Sequence, residues 1–142
     1  MSDLEMKFKT YYLTAVFSMI FAVLGFSYNA WRLEVSEDNN NIRTATFEVL
    51  TELAKFQQLI YSAHYDQNTV AGNPRNGWVK VGLIVDLSTL IDESVTKSAL
   101  VLKESWSANW ESIPDSRNVT DMLVSDIEKV RFEIKKTLKN LE

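Results

Sequence analysis

The sequence predicts an all-α protein, an N-terminal transmembrane helix followed by an up-down helical bundle of about four helices. The stretch Tyr11–Trp31 (YYLTAVFSMIFAVLGFSYNAW) contains no Asp, Glu, Lys or Arg, in a chain of which 24% is charged. Beyond it, apolar residues recur in steps of three and four, the spacing that lines one face of a helix. Chain breakers are scarce, four glycines and two prolines in 142 residues, and most of those beyond the apolar stretch gather at two places.

The apolar stretch fits a membrane by length. At about 1.5 Å of rise per residue, some twenty residues cover the roughly 30 Å of a hydrocarbon core, with every backbone N–H and C=O paired inside the helix. Tyr11 and Tyr12 at one end and Tyr28 and Trp31 at the other suit the two headgroup layers. Lys7 and Lys9 precede the stretch, while Arg32 is followed by Glu34, Glu37 and Asp38. Lysine and arginine resist translocation and acids count for little, so the expected topology places the N-terminus in the cytoplasm. Residues 1–10 then form a cytoplasmic stub, 11–31 the anchor and 32–142 an extracytoplasmic, periplasmic domain of a bacterial inner-membrane protein. A cleaved signal peptide is the rival for the same residues, with Gly25 to Ser27 offering small side chains for a peptidase. The apolar run is long for a signal core, and helical patterning continues past Trp31, so a retained signal-anchor is expected.

Within the outer domain, Ile42, Thr46, Val49, Leu53, Phe56, Ile60 and Ala63 alternate steps of four and three, with Phe47 and Leu50 widening the stripe. This reads as a long amphipathic helix, and Asp38, Asn39, Asn40 and Asn41 leave a hinge before it open. The segment Gly72-Asn73-Pro74-Arg75-Asn76-Gly77 is the first break. Trp78–Asp92 follows, apolar on most sides with Gly82, Asp86, Thr89 and Glu93 as a polar edge; fifteen residues without a turn signal favour helix over buried strand. A kink near Ser94 is expected before the next helix, whose face carries Val95, Ala99, Leu102, Trp106, Trp110 and Ile113 and which Pro114 closes. The last stripe, from Val119 through Leu123, Ile127, Val130, Ile134 and Leu138 to Leu141, has Asn118 as its expected N-cap and Asp121 in its first turn. Shallow packing of these helices brings Phe56, Trp106 and Trp110 into one core. The same stripes also suit a coiled coil completed by another protomer or a partner.

Composition excludes several function classes. About 110 residues lie beyond Trp31, enough for one core and not for two. The net charge is −4, and because Asp3, Glu5, Lys7 and Lys9 cancel, the outer domain carries all of it. Nucleic acid needs clustered Lys and Arg and is not an expected partner. The one dense basic run, Lys135, Lys136 and Lys139, reads as a solvated face complementing a helix C-terminus. Cysteine is absent, which removes disulfides, Cys-based metal sites and thiol nucleophiles.

Candidate chemistry is thin. His64 is the only histidine, and with Asp66 it makes a candidate base–orienter or co-ligand pair; equally, histidine is electrostatically favoured near a helix C-terminus. One histidine cannot supply a three-ligand zinc site without distant carboxylates, and no Glu-x-x-His set is present, so no cofactor or metal is expected. Glu48 and Glu52 share a helix face and read as solvated. The segment Gly72–Trp78 has two readings. As a recognition loop, Arg75 grips a carboxylate or phosphate and Trp78 stacks; as an interhelical turn, the glycines and Pro74 shape it while Trp78 enters the core. The turn reading is favoured, and the spacing is not that of a phosphate-binding loop. Trp106 and Trp110 read as core, and Asn118-Val119-Thr120 matches a glycosylation triplet with no weight in a chain of bacterial character.

By subtraction the expected function is non-enzymatic: a single-pass membrane protein acting by contact, as a scaffold or accessory subunit of an envelope complex or as a homo-oligomer. The alternative is a sensor module, with a small-molecule ligand near Arg75, Trp78 or His64 and signalling through a membrane partner, since a ten-residue stub holds no output domain.

Overall fold

The computed structural model describes residues 2–141. The chain is all-α, with α1 (Asp3–His64), α2 (Pro74–Ser88), α3 (Glu93–Asn109) and α4 (Arg117–Asn140), and a turn of 3-10 helix at Trp110–Ser112. Two units divide it, Met1–Asp38 and the residues from Asn39 onward.

In the first unit every described residue is exposed. α1 contains a window long and apolar enough to cross a membrane, by length and composition. The hydroxyls of Thr10 and Thr14 donate to the carbonyls of Met6 and Thr10, each at 2.9 Å, so these polar groups are paired within the helix.

The second unit has one core, and each helix supplies it from one face. Val49, Leu53, Phe56 and Ile60 come from α1, and Val81 and Ile84 from α2. Val95, Ala99, Leu102 and Trp106 come from α3, and Leu123, Ile127, Val130 and Ile134 from α4. Burying each of the Val, Leu, Ile and Phe side chains among them is worth roughly 1.5–3 kcal/mol. Phe56 meets the Trp106 ring edge-on with centroids 5.1 Å apart, Trp110 is half-buried against the same core, and α3 packs on both α2 and α4.

Several boundaries differ from the sequence expectation. Asp38–Asn41 lie within α1, so weak helix propensity there does not end the helix. Phe47 is exposed and does not widen the core stripe; only Leu50 of that pair packs against the core. The first break runs over residues 65–73, because Asn73 caps α2 and Pro74 takes its first position, where a missing N–H costs nothing. Arg75, Asn76 and Gly77 are therefore helical, and α2 begins before Trp78. It ends at Ser88, so Thr89 falls in the next turn and Glu93 belongs to α3 instead of the polar edge of α2. The second break is a turn over residues 89–92, closed by Asp92 in extended conformation, and not a kink at Ser94. The Ser94 hydroxyl donates to the Asp92 carboxylate at 2.6 Å, which holds that carboxyl below its ordinary value. Finally, Ser116 and not Asn118 caps α4, its hydroxyl accepting the Val119 N–H at 3.3 Å.

Candidate functional site

The sequence-predicted residues converge on one end of the second unit, where α1 stops and α2 starts. His64 is the last residue of α1, and its Nδ1 lies 2.7 Å from the carbonyl oxygen of Ile113. A carbonyl only accepts, so Nδ1 carries the proton and donates it. Asp66 is exposed and shares no hydrogen bond with His64 among the described residues; Tyr65 stands edge-on to the imidazole at 4.6 Å instead.

The loop that follows satisfies itself. Gln67 has a φ of 50°, and its side-chain amide donates to the carbonyls of His64 at 2.7 Å and Pro114 at 2.9 Å, offsetting the left-handed backbone. Asn68 accepts from the N–H groups of Val70 and Ala71 through its side chain at 3.0 and 2.9 Å. Its own N–H donates to Ser62 at 3.0 Å. Gly72 lies against Ala63 so closely that a Cβ would stand 2.6 Å from the Ala63 Cα, which explains glycine there. Asn73 accepts the Arg75 N–H at 3.0 Å.

Arg75 is exposed on the first turn of α2, and no carboxylate among the described residues pairs with it. Trp78 is partly exposed and sets its ring against that of Trp106, centroids 6.2 Å apart. The recess among Ala63, Gln67, Asn68, Thr69, Pro74 and Pro114 has a volume of about 170 Å³. Ligand pockets run to about 300 Å³ and above, so it is small for a metabolite. The structure thus brings His64 to the turn at Pro114 and leaves Asp66, Arg75 and Trp78 without a shared cavity.

Two buried acids went unrecognised in the sequence. Glu52, expected to be solvated, is 8% exposed. Its carboxylate accepts from Lys55 at 2.8 Å and faces Lys80 of α2 at 3.7 Å. These partners, Lys55 foremost and then Lys80, hold the carboxyl below its ordinary value against the opposing effect of burial. Asp126 is also buried, accepting from the Ser105 hydroxyl at 2.6 Å and from Lys129 at 3.0 Å, and so fastens α4 to α3. A signal existed. Glu52 stands three residues after Val49 and four before Phe56, and Asp126 stands likewise between Leu123 and Val130, so both sit in the apolar stripes.

Family models, curated proteins and solved structures were all compared with this chain. None matches. No cluster of three His, Asp or Glu among the described residues could hold a metal ion. A groove of about 590 Å³ lies between α3 and α4, bordered by Ser98, Val101, Ser125, Lys129 and Phe132. Lys97, Glu128 and Glu133 also line it, and no histidine does. Of the polar interactions around the predicted residues and the two buried acids, His64 to the Ile113 carbonyl, Gln67 to the Pro114 carbonyl, Glu52 to Lys80 and Ser105 to Asp126 tie separate elements together, and the others are local in the chain.

Proposed function

We propose that this chain is a single-pass membrane protein whose helical domain works by contact, as a scaffold or accessory subunit of an envelope complex. The observation that carries the reading is the exposure of Tyr11–Trp31: twenty-one consecutive residues without a charge, none of them covered by the rest of the chain. In water such a helix leaves a far larger apolar surface than a soluble monomer tolerates, while lipid solvates it without cost to the paired backbone. Lys7 and Lys9 favour an N-terminus in the cytoplasm of a bacterial cell and a periplasmic domain. Support for action by contact comes from the second unit, where His64, Glu52 and Asp126 are engaged in bonds between helices or to the turn at Ile113.

Fractionation tests the anchor and a reporter fusion tests its direction. The expected result is a full-length chain that stays with membranes through an alkaline carbonate wash, with a C-terminal alkaline phosphatase fusion active and the matching cytoplasmic reporter silent. Release into the supernatant overturns the anchor, and the reverse reporter pattern overturns the topology. The sensor reading draws on one observation, the groove between α3 and α4, whose volume suits a small ligand. A thermal-shift screen tests it, with a ligand-dependent rise in melting temperature as its positive outcome.

A further inference from the structure

Within the second unit, α1 buries one apolar stripe and leaves most of a second, beside it, uncovered. Val49, Leu53, Phe56 and Ile60 face the core. About a third of a turn round from that stripe, Phe47, Leu50, Ala54, Gln57 and Tyr61 step three, four, three and four, the repeat of a coiled-coil seam, with Leu50 at its inner edge packed partly against the core. Phe47 is 63% exposed, Tyr61 37% and Tyr65, four residues further on, 56%. None of these six is charged; Thr51 and Gln58 border the seam on its outer side, and the exposed Arg43 stands one step before Phe47 on the same line. An interface core has this character, rich in aromatic rings and depleted of charge with charged residues at its rim.

Other exposed apolar side chains of the unit lack it. Phe132 of α4 is 65% exposed but stands among Glu128, Lys129, Lys135 and Lys136, all exposed. Val79 and Leu83 of α2 share their face with Arg75 and Asp86.

We infer that the seam Phe47–Tyr61 pairs in parallel with the same seam of a second copy of this chain. From Phe47 to Tyr65 the seam holds no charge by which a different partner is selected, Arg43 standing at its end, whereas a two-fold axis along the helix sets every residue beside its own counterpart. Phe47, Ala54 and Tyr61 are one heptad apart, so a small residue lies at the centre, where helices come closest, between two aromatic layers. The Gln57 amide already donates to the Tyr61 hydroxyl at 3.0 Å, which lowers the cost of covering both.

Area decides which second molecule fits. At their exposures the three rings present on the order of 300 Å² per copy, and the shorter side chains bring the pair to about 1,000 Å², the lower bound of a specific interface. That is marginal for two molecules diffusing freely. For copies in one membrane it is sufficient, because the tether supplies an effective concentration of about millimolar and a common direction. The pairing therefore rests on the anchored reading.

The absence of cysteine makes the test clean. Phe47→Cys, Ala54→Cys and Tyr61→Cys each introduce a sole thiol into the full chain, with Glu48→Cys and Phe132→Cys as controls. Oxidation in native membranes is expected to give a disulfide-linked band at twice the 16.3 kDa of the chain. Because a disulfide needs Cα atoms within about 7 Å, the yield at the three seam positions should exceed both controls by about tenfold. Adding Phe47→Glu to the Ala54→Cys chain should abolish that band and leave the melting temperature unchanged. Equal yields at seam and control positions overturn the pairing, as does a crosslinked band of another mass. Carbonate-washed membranes from the same preparations separate the two failures: a chain that leaves the membrane sinks the anchor and the pairing that rests on it, whereas a retained chain without seam crosslinks sinks the pairing alone.

Discussion

Glu52 sets how the second unit responds to acid. Its folded-state carboxyl titrates below the ordinary value because Lys55, and after it Lys80, stabilise the charged form. In the unfolded chain it titrates near the ordinary value of about 4.3. The network's contribution is therefore complete above that value and is lost as pH falls through the lowered folded value. Glu52→Gln should cost about 1–3 kcal/mol at pH 7, and wild type and variant should converge only in acid, once pH falls below the lowered folded value. Urea unfolding at both pH values measures the difference; a gap that persists in acid refutes the ionic account. Gly77 is a second point of leverage. A Cβ there would stand 2.3 Å from the ring of Trp106, which is buried and held by Phe56 and Trp78. Gly77→Ala should destabilise by about 1–3 kcal/mol through overpacking, despite the gain in helix propensity. In the same helix Gly82 has open space around it, so Gly82→Ala should stabilise by up to about 1 kcal/mol. Denaturation midpoints of the pair check this, and movement in one direction for both contradicts the packing account. Neither effect was legible in the sequence. The stripe spacing of Glu52 was present, but the identity of its partner on α2 depends on a fold contact, as does the bond from His64 to a carbonyl 49 residues away.

Helix stripes were legible and helix ends were not. The four core faces follow from steps of three and four, because any helix that buries one side must repeat that way. Caps are chosen among neighbours of similar chemistry: Ser116 and Asn118 both suit an N-cap, and the backbone decides, since Ser116 is extended and Asn118 is already helical. Ser116→Ala should therefore cost about 1 kcal/mol, and Asn118→Ala should stay within about 0.5 kcal/mol. Thermal unfolding of the two variants distinguishes them, and a larger loss at Asn118 contradicts the cap assignment. The outer edge of a stripe is equally ambiguous. Phe47 lies beside Thr46 and three residues before Leu50, yet only those two turn toward the other helices, because the width of a buried face depends on how many neighbours surround it. Where the sequence is apolar beyond what the fold covers, the surplus marks surface with another use.

At the scale of the whole chain, the buried core belongs to one of the two units. Every buried hydrophobic side chain among the described residues lies between Ala45 and Ile134, within the second unit. No side chain of the first unit takes part in that core, so the folding free energy of the second is internal to it. A chain beginning at Asn39 should then be helical, remain in solution and unfold in one cooperative transition, near the midpoint of the full chain held in mild detergent. Circular dichroism of both, with urea as denaturant, makes the comparison, and equal slopes would show that the same surface is exposed in each. A shortened chain with helical signal but no cooperative transition would mean that the first unit contributes to packing, contrary to the separation of the core. The shortened chain also isolates the tether. On the proposal of an anchored pair, it should sediment as a monomer at micromolar concentration even though the seam Phe47–Tyr61 is intact, because a tether that raises local concentration would have been removed.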